Sequence, residues 1–382
     1  MPYEIISYLQ TLNPVDYSLI GAIVCIWLYR LLYDIIFYGR LAFRKVAPAG
    51  SSSLPVTVCI VERNEEDRLR SNLPDWLQFG YPHYEILVVD DFSEDNSIAV
   101  LALLKNKFPR LKFTALSQET RYSDKLARNL ALKAASHELV VMIHPSMVPP
   151  DNHWLPGVSA AVCNGKDVVI GYCNLVPRNG FLHKLYRAES FFQQIESMAC
   201  SITGMPYVTA EENVTFRKSA YFEIGGLAGK IREEYLNLEM VVNKIVKPKN
   251  VAVLPVGNLT LRKDLEVDKR MWRELFRKSF RLKYYLKKSS RFFLGFSRLT
   301  SILLIPLLLL LFILYPGLQL VVAGLLIIKS ITYIFIIKKL QKRLHEPKLF
   351  VTSLLYAIVA PYYRTVAQWR FNQIRKNRKW GI

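Results

Sequence analysis

The chain has 382 residues and a positive mean hydropathy of +0.15, which indicates one large domain accompanied by apolar accessory segments. Its formal net charge is +20 at pH 7. Because the basic residues flank the apolar segments, attraction to anionic lipid headgroups explains this charge, and a nucleic-acid partner is not expected. The five cysteines have no paired spacing, which predicts reduced thiols and excludes a disulfide framework or a zinc site.

The first apolar segment lies near the N-terminus. Residues 19–37 are apolar except for Arg30 and Asp34, which are four positions apart and are expected to pair on one helix face. A segment of about 19 residues suits one crossing of a bilayer. The alternative is a long helix buried in protein.

Three further apolar segments lie near the C-terminus. Residues 299–315 and 318–337 are separated by Pro316-Gly317, a pair typical of tight turns, and predict a hairpin of two membrane spans. The apolar segment 349–363 is shorter than the other two, and Pro361 is expected to break its helix near the end. They predict a re-entrant or interfacial helix followed by a basic tail.

The distribution of basic residues predicts the orientation. Cytoplasmic loops carry an excess of Lys and Arg, and here the basic residues follow the first span, precede the second and follow the third. The large central domain is therefore expected on the cytoplasmic side. The flanking residues are Arg40, Arg44, Lys45, Lys287, Lys288, Arg291, Lys338, Lys339, Lys342 and Arg343.

Strand and helix patterns alternate from residue 54 to about residue 256, which predicts an α/β domain with a mainly parallel sheet and helices on both faces. The predicted strands are 56–61, 85–89, 111–115, 139–143, 167–172 and 251–255. The predicted helices are 67–76, 97–107, 124–135 and 181–200.

The composition changes after this domain. Residues 262–291 are rich in Lys, Arg and aromatic residues at helical spacing, which predicts an amphipathic helix lying either on the membrane or against the domain. The predicted organisation is an anchor (1–45), an α/β domain (46–260), basic interface helices (261–297), a transmembrane hairpin (298–340), and a C-terminal helix and tail (341–382).

Two apolar runs end in polar clusters. The first run is followed by Arg63-Asn64-Glu65-Glu66, and the second ends in Asp90-Asp91. Ligands of open α/β sheets bind outside the carboxyl ends of the strands, so both clusters are expected to line one crevice.

These segments, together with residues 123–135 and 204–226, resemble in order and spacing the family 2 glycosyltransferases, which have a GT-A fold. The layout of anchor, domain, basic helix and hairpin is similar to that of a bacterial membrane-bound branch of this family. The resemblance implies a nucleotide-sugar donor, with a UDP-sugar expected. It also implies a lipid-linked or polysaccharide acceptor, contact with membrane lipids, and a place in the bacterial inner membrane, where a membrane-protein partner is possible.

The resemblance also implies a donor site. Asn64, Glu65 and Asp90 would hold the uracil and ribose, with Asp91 and Lys125 nearby for the ribose and phosphate. The alternative is that Asp90-Asp91 begins a turn, with Ser93 and Asp95 capping the next helix.

The position of the family's metal motif departs from the pattern. The strand 139–143 is followed by His144-Pro145-Ser146, where the family has Asp-x-Asp holding Mg²⁺ or Mn²⁺. Hard cations prefer carboxylate and phosphate oxygens. His144 is the remaining candidate ligand, and a polar cap on the strand end is the alternative.

The motif that supplies the catalytic base also departs from the family pattern. The family deprotonates its acceptor with the Asp of a Glu-Asp motif, and Leu238 occupies that position here. Glu239 and Glu234 are the replacement candidates, with solvated loop acids as the alternative. A basic motif of the family matches Lys278 and Arg281, of which only the arginine is retained.

Two hypotheses follow. The first is an active inverting glycosyltransferase, in which cations such as Lys125, Arg217, Lys218 or Arg281 neutralise the leaving diphosphate if no metal binds. The second is a catalytically inactive pseudo-glycosyltransferase acting as a membrane scaffold or regulatory partner.

Glu211 and Glu212 would either repel a diphosphate or supply charge for a metal.

Overall fold

In the computed structural model, which describes residues 8, 10, 12–46, 53–119 and 122–379, the chain divides into two units. One is an α/β unit formed by Arg44–Leu286 and Lys342–Leu349. The other consists of apolar helices from Met1–Phe43, Lys287–Gln341 and Phe350–Ile382, as far as these ranges are described.

The α/β unit is built on a mixed sheet of seven strands within the described residues, in the order β3-β2-β1-β4-β8-β6-β9. All neighbouring strands are parallel except β8, which is antiparallel to both β4 and β6. A second sheet, of three strands, has the order β5-β10-β7. The strands are β1 (Val56–Glu62), β2 (Tyr84–Asp90), β3 (Leu111–Ala115), β4 (Leu139–Ile143), β5 (Met147–Val148), β6 (Val168–Gly171), β7 (Cys173–Leu175), β8 (Val214–Arg217), β9 (Val251–Leu254) and β10 (Leu261–Lys263).

Helices cover both faces of the large sheet. Strands β1, β2 and β4 are almost wholly buried runs of aliphatic residues, as expected of parallel strands covered on two sides. The helices of this unit are Glu66–Leu77, Ser97–Lys107, Ser123–Ala134, Trp154–Cys163, Phe181–Ile202, Lys218–Glu223, Glu239–Ile245 and Lys269–Leu282, with short 3₁₀ turns at Gly257–Leu259 and Lys283–Tyr285.

The predicted fold class is confirmed. All six predicted strands are present, each end within one residue of the prediction, and the four predicted helices agree within two residues. The elements that sequence reasoning missed include the reversed strand β8 and the short strands β5, β7 and β10. The strands β5, β7 and β10 form the small sheet, which lies beside the candidate site in the α/β unit.

The carboxyl ends of β1, β2 and β4 lie at one edge of the large sheet, which we call the carboxyl edge. Because β6 is parallel to β4, β7 continues beyond the same edge, and the small sheet lies there. Strand β8 runs the other way, so the residues that precede it, including Glu212, lie at the carboxyl edge, and Arg217 lies at the opposite edge.

Asn213 fixes the junction of the two sheets. Its backbone is in the left-handed region at φ 56°, and its buried amide donates to the carbonyl oxygens of Tyr172 (2.8 Å) and Leu259 (3.0 Å). The indole Nε1 of Trp154 donates to Asn213 Oδ1 at 2.9 Å. A Cβ on Gly171 would clash with the Asn213 side chain, so the close approach requires glycine there.

A buried carboxylate ties the segment Lys342–Leu349 into the α/β unit. Glu346 is fully buried and pairs with Arg187 at 2.5 Å and with Arg262. The hydroxyl of Tyr172 donates to Glu346 at 2.8 Å, and Asn174 Nδ2 donates to it at 3.1 Å. Since burying a charge is costly unless it is paired and hydrogen-bonded, these contacts are what make the burial of Glu346 tolerable.

The other unit contains helices with the character of membrane spans. Among the described residues, three helical segments are long and apolar enough to cross a membrane: Pro14–Phe43, Lys288–Leu314 and Pro316–Arg343. The first is α-helical over Pro14–Tyr33, π-helical over Asp34–Gly39 and α-helical again over Arg40–Phe43, and the third contains the 3₁₀ turn Pro316–Leu318 and the helix Gln319–Arg343.

Two local expectations for this unit are wrong. Asp34 pairs with Lys329 at 2.5 Å, and Arg30 donates instead to Ser297 Oγ at 3.0 Å, because side chains from other helices reach these groups. Pro361 does not break the C-terminal helix, which continues from Phe350 to Lys379.

Replacing Glu346 with Gln tests the energetic role of its ion pairs. The change leaves the buried Arg187 guanidinium without a full counter-charge, and breaking a buried pair from one side typically costs about 3–5 kcal/mol. We therefore expect a clear drop in the midpoint of thermal unfolding of the detergent-purified protein. The matched control is Glu266→Gln, because that side chain is 89% exposed and pairs with Arg178, which is itself 39% exposed. Equal midpoints for the two variants would contradict this account.

Candidate functional site

Two carboxylates meet where β1 and β2 end. Glu62 and Asp90 are the last residues of these strands and lie directly opposite each other in the parallel register. Asp90 is fully buried, and both of its oxygens accept from the Ser93 backbone N–H at 3.0 Å. Glu62 is 3% exposed, and neither of its oxygens has a hydrogen-bond partner among the described residues.

This environment disfavours the charged form of Glu62. Burial raises the pKa of the Glu62 carboxyl to about 8, with further contributions from Asp90, Asp95 and Glu65. Glu62 is therefore mostly protonated at neutral pH and can donate a hydrogen bond beside the Asp90 carboxyl group.

The loops that follow these strands are tied to each other. Asn64 has a φ of 54°, its Oδ1 accepts from the Glu94 N–H at 2.8 Å, and its own N–H donates to Ser93 Oγ at 2.9 Å. Glu65 pairs with Arg68 at 2.5 Å. The structure thus brings the predicted donor residues of the two loops together, while the Asp90–Ser93 bonds match the alternative interpretation of a structured turn.

The remaining predicted donor residues, Asp91 and Lys125, are both buried. Asp91 is 5% exposed and its N–H donates to the carbonyl oxygen of Glu62 at 2.8 Å. Lys125, in the first turn of the helix Ser123–Ala134, is 4% exposed.

A cavity of about 390 Å³ lies at the carboxyl edge, between the small sheet and the helices Phe181–Ile202 and Lys269–Leu282. Its charged lining residues are Glu212, Glu234, Lys263, Glu274 and Lys278. The rest of the lining is polar or apolar: Cys173, Asn174, Leu175, Tyr186, Ser190, Gln193, Gln194, Thr209, Ala210, Tyr235, Met271 and Leu275.

Three buried carboxylates beside the cavity are each paired with a cation. Arg128 binds Glu211 at 2.7 Å. Lys263 pairs with Glu212, and Lys278 pairs with Glu239. We call these six residues the charge cluster.

The protonation states of the charge cluster follow from these contacts. Although burial alone would raise it, the pKa of Glu212 is held below its ordinary value by Lys263 and Lys278. Burial outweighs the attraction of Lys278 at Glu239, so the pKa of that carboxyl is raised. At Lys263, by contrast, the attraction of Glu212, with contributions from Cys173 and Tyr186, outweighs burial and raises the pKa, so Lys263 remains charged.

The position of the metal motif is occupied by a polar turn. His144 Nδ1 lies 2.8 Å from Ser146 Oγ and accepts from the Ser146 N–H at 3.1 Å. Burial, reinforced by the charge of Lys263, lowers the pKa of His144 to about 4. In the part of the chain that the structure describes, no group of three His, Cys, Asp or Glu side chains is arranged to hold a metal ion. These are the contacts of a polar cap.

The two candidate bases differ in position. Glu239 is fully buried behind Lys278 and accepts from the Asn237 N–H at 2.9 Å. Glu234 lines the cavity and is exposed. Arg281 is outside the described lining and pairs with Glu233 at 2.7 Å.

Two other predicted cations are far from the cavity in the fold. Arg217 pairs with Asp167 at 3.0 Å, and Lys218 Nζ donates to the carbonyl oxygen of Ala135 at 2.5 Å. Both lie at the edge opposite the carboxyl edge because β8 is reversed, so the structure does not bring them together with the cavity cations.

Sequence reasoning missed Glu62, Lys263 and the role of Lys278 as a cavity cation. A carboxylate as the last residue of an apolar strand, directly before the Arg63-Asn64 pair, was a usable signal for Glu62. Lys263 had no comparable signal, because β10 has only three residues and reaches the site through the small sheet.

Comparisons with known proteins agree with this fold. Residues 57–229 match a family model described as "Glycosyl transferase family 2". The structure is similar to the mannosyltransferase PcManGT from Pyrobaculum calidifontis, solved in complex with GDP-Man and Mn²⁺, with 16% identity, a TM-score of 0.56, and coverage of 89% of this chain and 98% of that chain. TarS 1–349 from S. aureus is more distant, with 15% identity, a TM-score of 0.43, and coverage of 84% and 92%. No curated protein sequence matches the chain.

Residues 57–229 thus match the family 2 glycosyltransferase model, and the structure has the GT-A fold that the sequence motifs predicted. The identity to PcManGT is low, so that likeness establishes the fold and leaves the reaction to be argued from the site.

The raised pKa of Glu62 predicts how stability depends on pH. Between its ordinary pKa of 4.5 and about 8, the folded state binds the Glu62 proton and the unfolded state releases it. Folding stability from this group therefore falls as pH rises through that window.

Glu62→Gln removes this dependence. We expect the variant and the wild type to have similar unfolding midpoints near pH 5, and the variant to be more stable above pH 8, by more than about 1.4 kcal/mol because one pKa unit corresponds to that amount. Glu94→Gln, at an exposed neighbouring position, serves as the control. A constant difference between Glu62→Gln and the wild type from pH 5 to pH 9 would contradict the assignment.

Proposed function

We propose that the protein is a membrane-bound glycosyltransferase that binds a UDP-sugar at the carboxyl edge and transfers its sugar to a lipid-linked or polysaccharide acceptor. The observation that carries the proposal is the cavity of about 390 Å³ at the carboxyl edge of a family 2 domain, with ammonium and carboxylate groups in its wall. Small-molecule sites of α/β folds occur at this edge and have volumes of about 300–1,000 Å³.

The strand ends support a uridine nucleotide. Uracil presents one N–H between two carbonyl oxygens, so it needs an acceptor and a donor side by side. Asp90 and the protonated Glu62 are adjacent in register and offer that combination.

The apolar helices and the basic residues beside them support membrane attachment. Three helices have the length and composition of spans, and Lys and Arg flank the α/β domain on both sides in the sequence. By the positive-inside rule, we place the domain at the cytoplasmic face of a bacterial inner membrane.

The residues at the metal position do not fit a divalent ion. The structure of PcManGT was solved with Mn²⁺, and a comparable ion here would need carboxylate ligands after β4. This chain offers a neutral imidazole hydrogen-bonded to Ser146, while Glu211 and Glu212 are already paired with cations. We therefore derive no step through a metal.

The base in this proposal is Glu234. It is the candidate acid that both lines the cavity and is exposed, whereas Glu239 is buried behind Lys278. Its role would be to accept the proton of the acceptor hydroxyl as that oxygen attacks the anomeric carbon and the nucleoside diphosphate leaves.

A second candidate function is a pseudo-glycosyltransferase that binds nucleotide-sugar without transferring it. The observation in its favour is the Lys278–Glu239 pair, which removes from solvent the acid that is adjacent in sequence to the family's base position at Leu238. Such a protein would serve as a membrane scaffold or regulatory partner.

Binding is tested by thermal unfolding of the detergent-purified protein with a panel of nucleotides and nucleotide-sugars. A ligand at about a hundred times its Kd adds about 2.7 kcal/mol of stability, so one UDP-sugar should raise the midpoint clearly. Asp90→Asn should abolish the shift, and Asp75→Asn, at an exposed position of the same domain, should keep it. The absence of a shift with every nucleotide would contradict the proposal.

Turnover separates the two candidate functions. With the stabilising UDP-sugar and a membrane extract as the acceptor source, an enzyme releases UDP, and Glu234→Gln should slow the release at least about a hundredfold, as expected for loss of a general base. Binding without UDP release would support the pseudo-glycosyltransferase.

A further inference from the structure

The cavity wall presents two ammonium groups: Lys263, whose counter-ion Glu212 also lines the cavity, and Lys278, whose counter-ion Glu239 does not. The side chain of Lys263 is 20% exposed and that of its partner Glu212 is 11% exposed. The contrast is larger in the second pair, where Lys278 is 28% exposed and Glu239 is fully buried. Both lysines line the cavity, and Glu239 is outside its described lining.

One of these pairs lies across the end of β4, where the family has its metal motif. Lys263 is in β10, which pairs with β5 directly after the turn His144-Pro145-Ser146, and the backbone of Asp264 donates to the Ser146 carbonyl oxygen at 2.9 Å. Glu212 approaches the same strand from the other side through a bridge to Met142. The Lys263–Glu212 pair therefore occupies the neighbourhood of the missing carboxylates.

The charges of this arrangement equal those of a metal site. A divalent cation held by two carboxylates contributes two positive and two negative charges. Lys263 and Lys278, held by Glu212 and Glu239, contribute the same charges from the chain itself. The remaining carboxylates of the lining, Glu234 and Glu274, are exposed, and Glu274 is paired with Arg270.

We propose that Lys263 and Lys278 together replace the divalent ion, so that the cavity binds the diphosphate of its nucleotide-sugar without a metal. This inference rests on the proposed function. Ammonium groups that face a buried cavity bind phosphate oxygens through charge-assisted hydrogen bonds, and they stabilise the negative charge that develops on a leaving diphosphate. Lysine binds phosphate as a point charge and so does not require a fixed fork geometry.

The test measures the binding of UDP and of uridine, each in EDTA and in Mn²⁺. The readout is the unfolding midpoint of the full-length protein. We expect the affinity for UDP to be the same in both conditions. The double variant Glu212→Gln/Lys263→Met removes both charges of one pair and so leaves no buried ion without a partner. It should weaken UDP binding at least about tenfold, equivalent to about 1.4 kcal/mol, and leave uridine binding unchanged.

Two further variants sharpen the result. Lys263→Arg keeps the positive charge and should retain most of the affinity for UDP. Lys244→Met removes a positive charge from an exposed position outside the described lining and should bind UDP as the wild type does.

The outcomes distinguish the inference from the function on which it rests. UDP binding that requires Mn²⁺ or is lost in EDTA would overturn the inference and leave the proposed function standing, and wild-type UDP affinity in the double variant would do the same. The absence of binding by any nucleotide or nucleotide-sugar would contradict both.

Discussion

The pairing of buried charges at the carboxyl edge is the constraint on which the site depends. Glu211 and Glu239 are buried and the Glu212 side chain is only 11% exposed, and an isolated carboxylate at such a position would cost several kcal/mol or would take up a proton. Each is held by a cation from a different element: the helix Ser123–Ala134, strand β10 and the helix Lys269–Leu282. These pairs therefore join three parts of the fold around one cavity.

The same constraint explains why the basic helix Lys269–Leu282 belongs to the domain. Its residues Phe276 and Phe280 are buried, and Lys278 and Arg281 bind acids of the α/β unit. Of the two interpretations of this amphipathic segment, the contacts favour packing against the domain. Its position closes one side of the cavity and supplies one of the two ammonium groups there.

The large sheet was predictable from the sequence because its signals are local. The runs before Asn64 and Asp90 are apolar and end in polar loops, so both the strands and their meeting at one edge could be inferred. The reversal of β8 could not, because a strand of four residues carries no mark of its direction. That reversal moves Arg217 away from the site and brings Glu212 into it. The partners of the buried acids were equally hidden, since Lys263 and Glu212 are 51 residues apart in the sequence.

The central claim is that the carboxyl-edge cavity is a nucleotide-sugar site whose diphosphate meets the chain's own cations. An experimental structure of the full-length protein, determined with bound UDP in the presence of EDTA, tests it most directly. The account predicts uracil beside Glu62 and Asp90, and phosphate oxygens within hydrogen-bond distance of Lys263 and Lys278. UDP bound elsewhere, or Lys263 and Lys278 still paired only with Glu212 and Glu239 when UDP is bound, would contradict it.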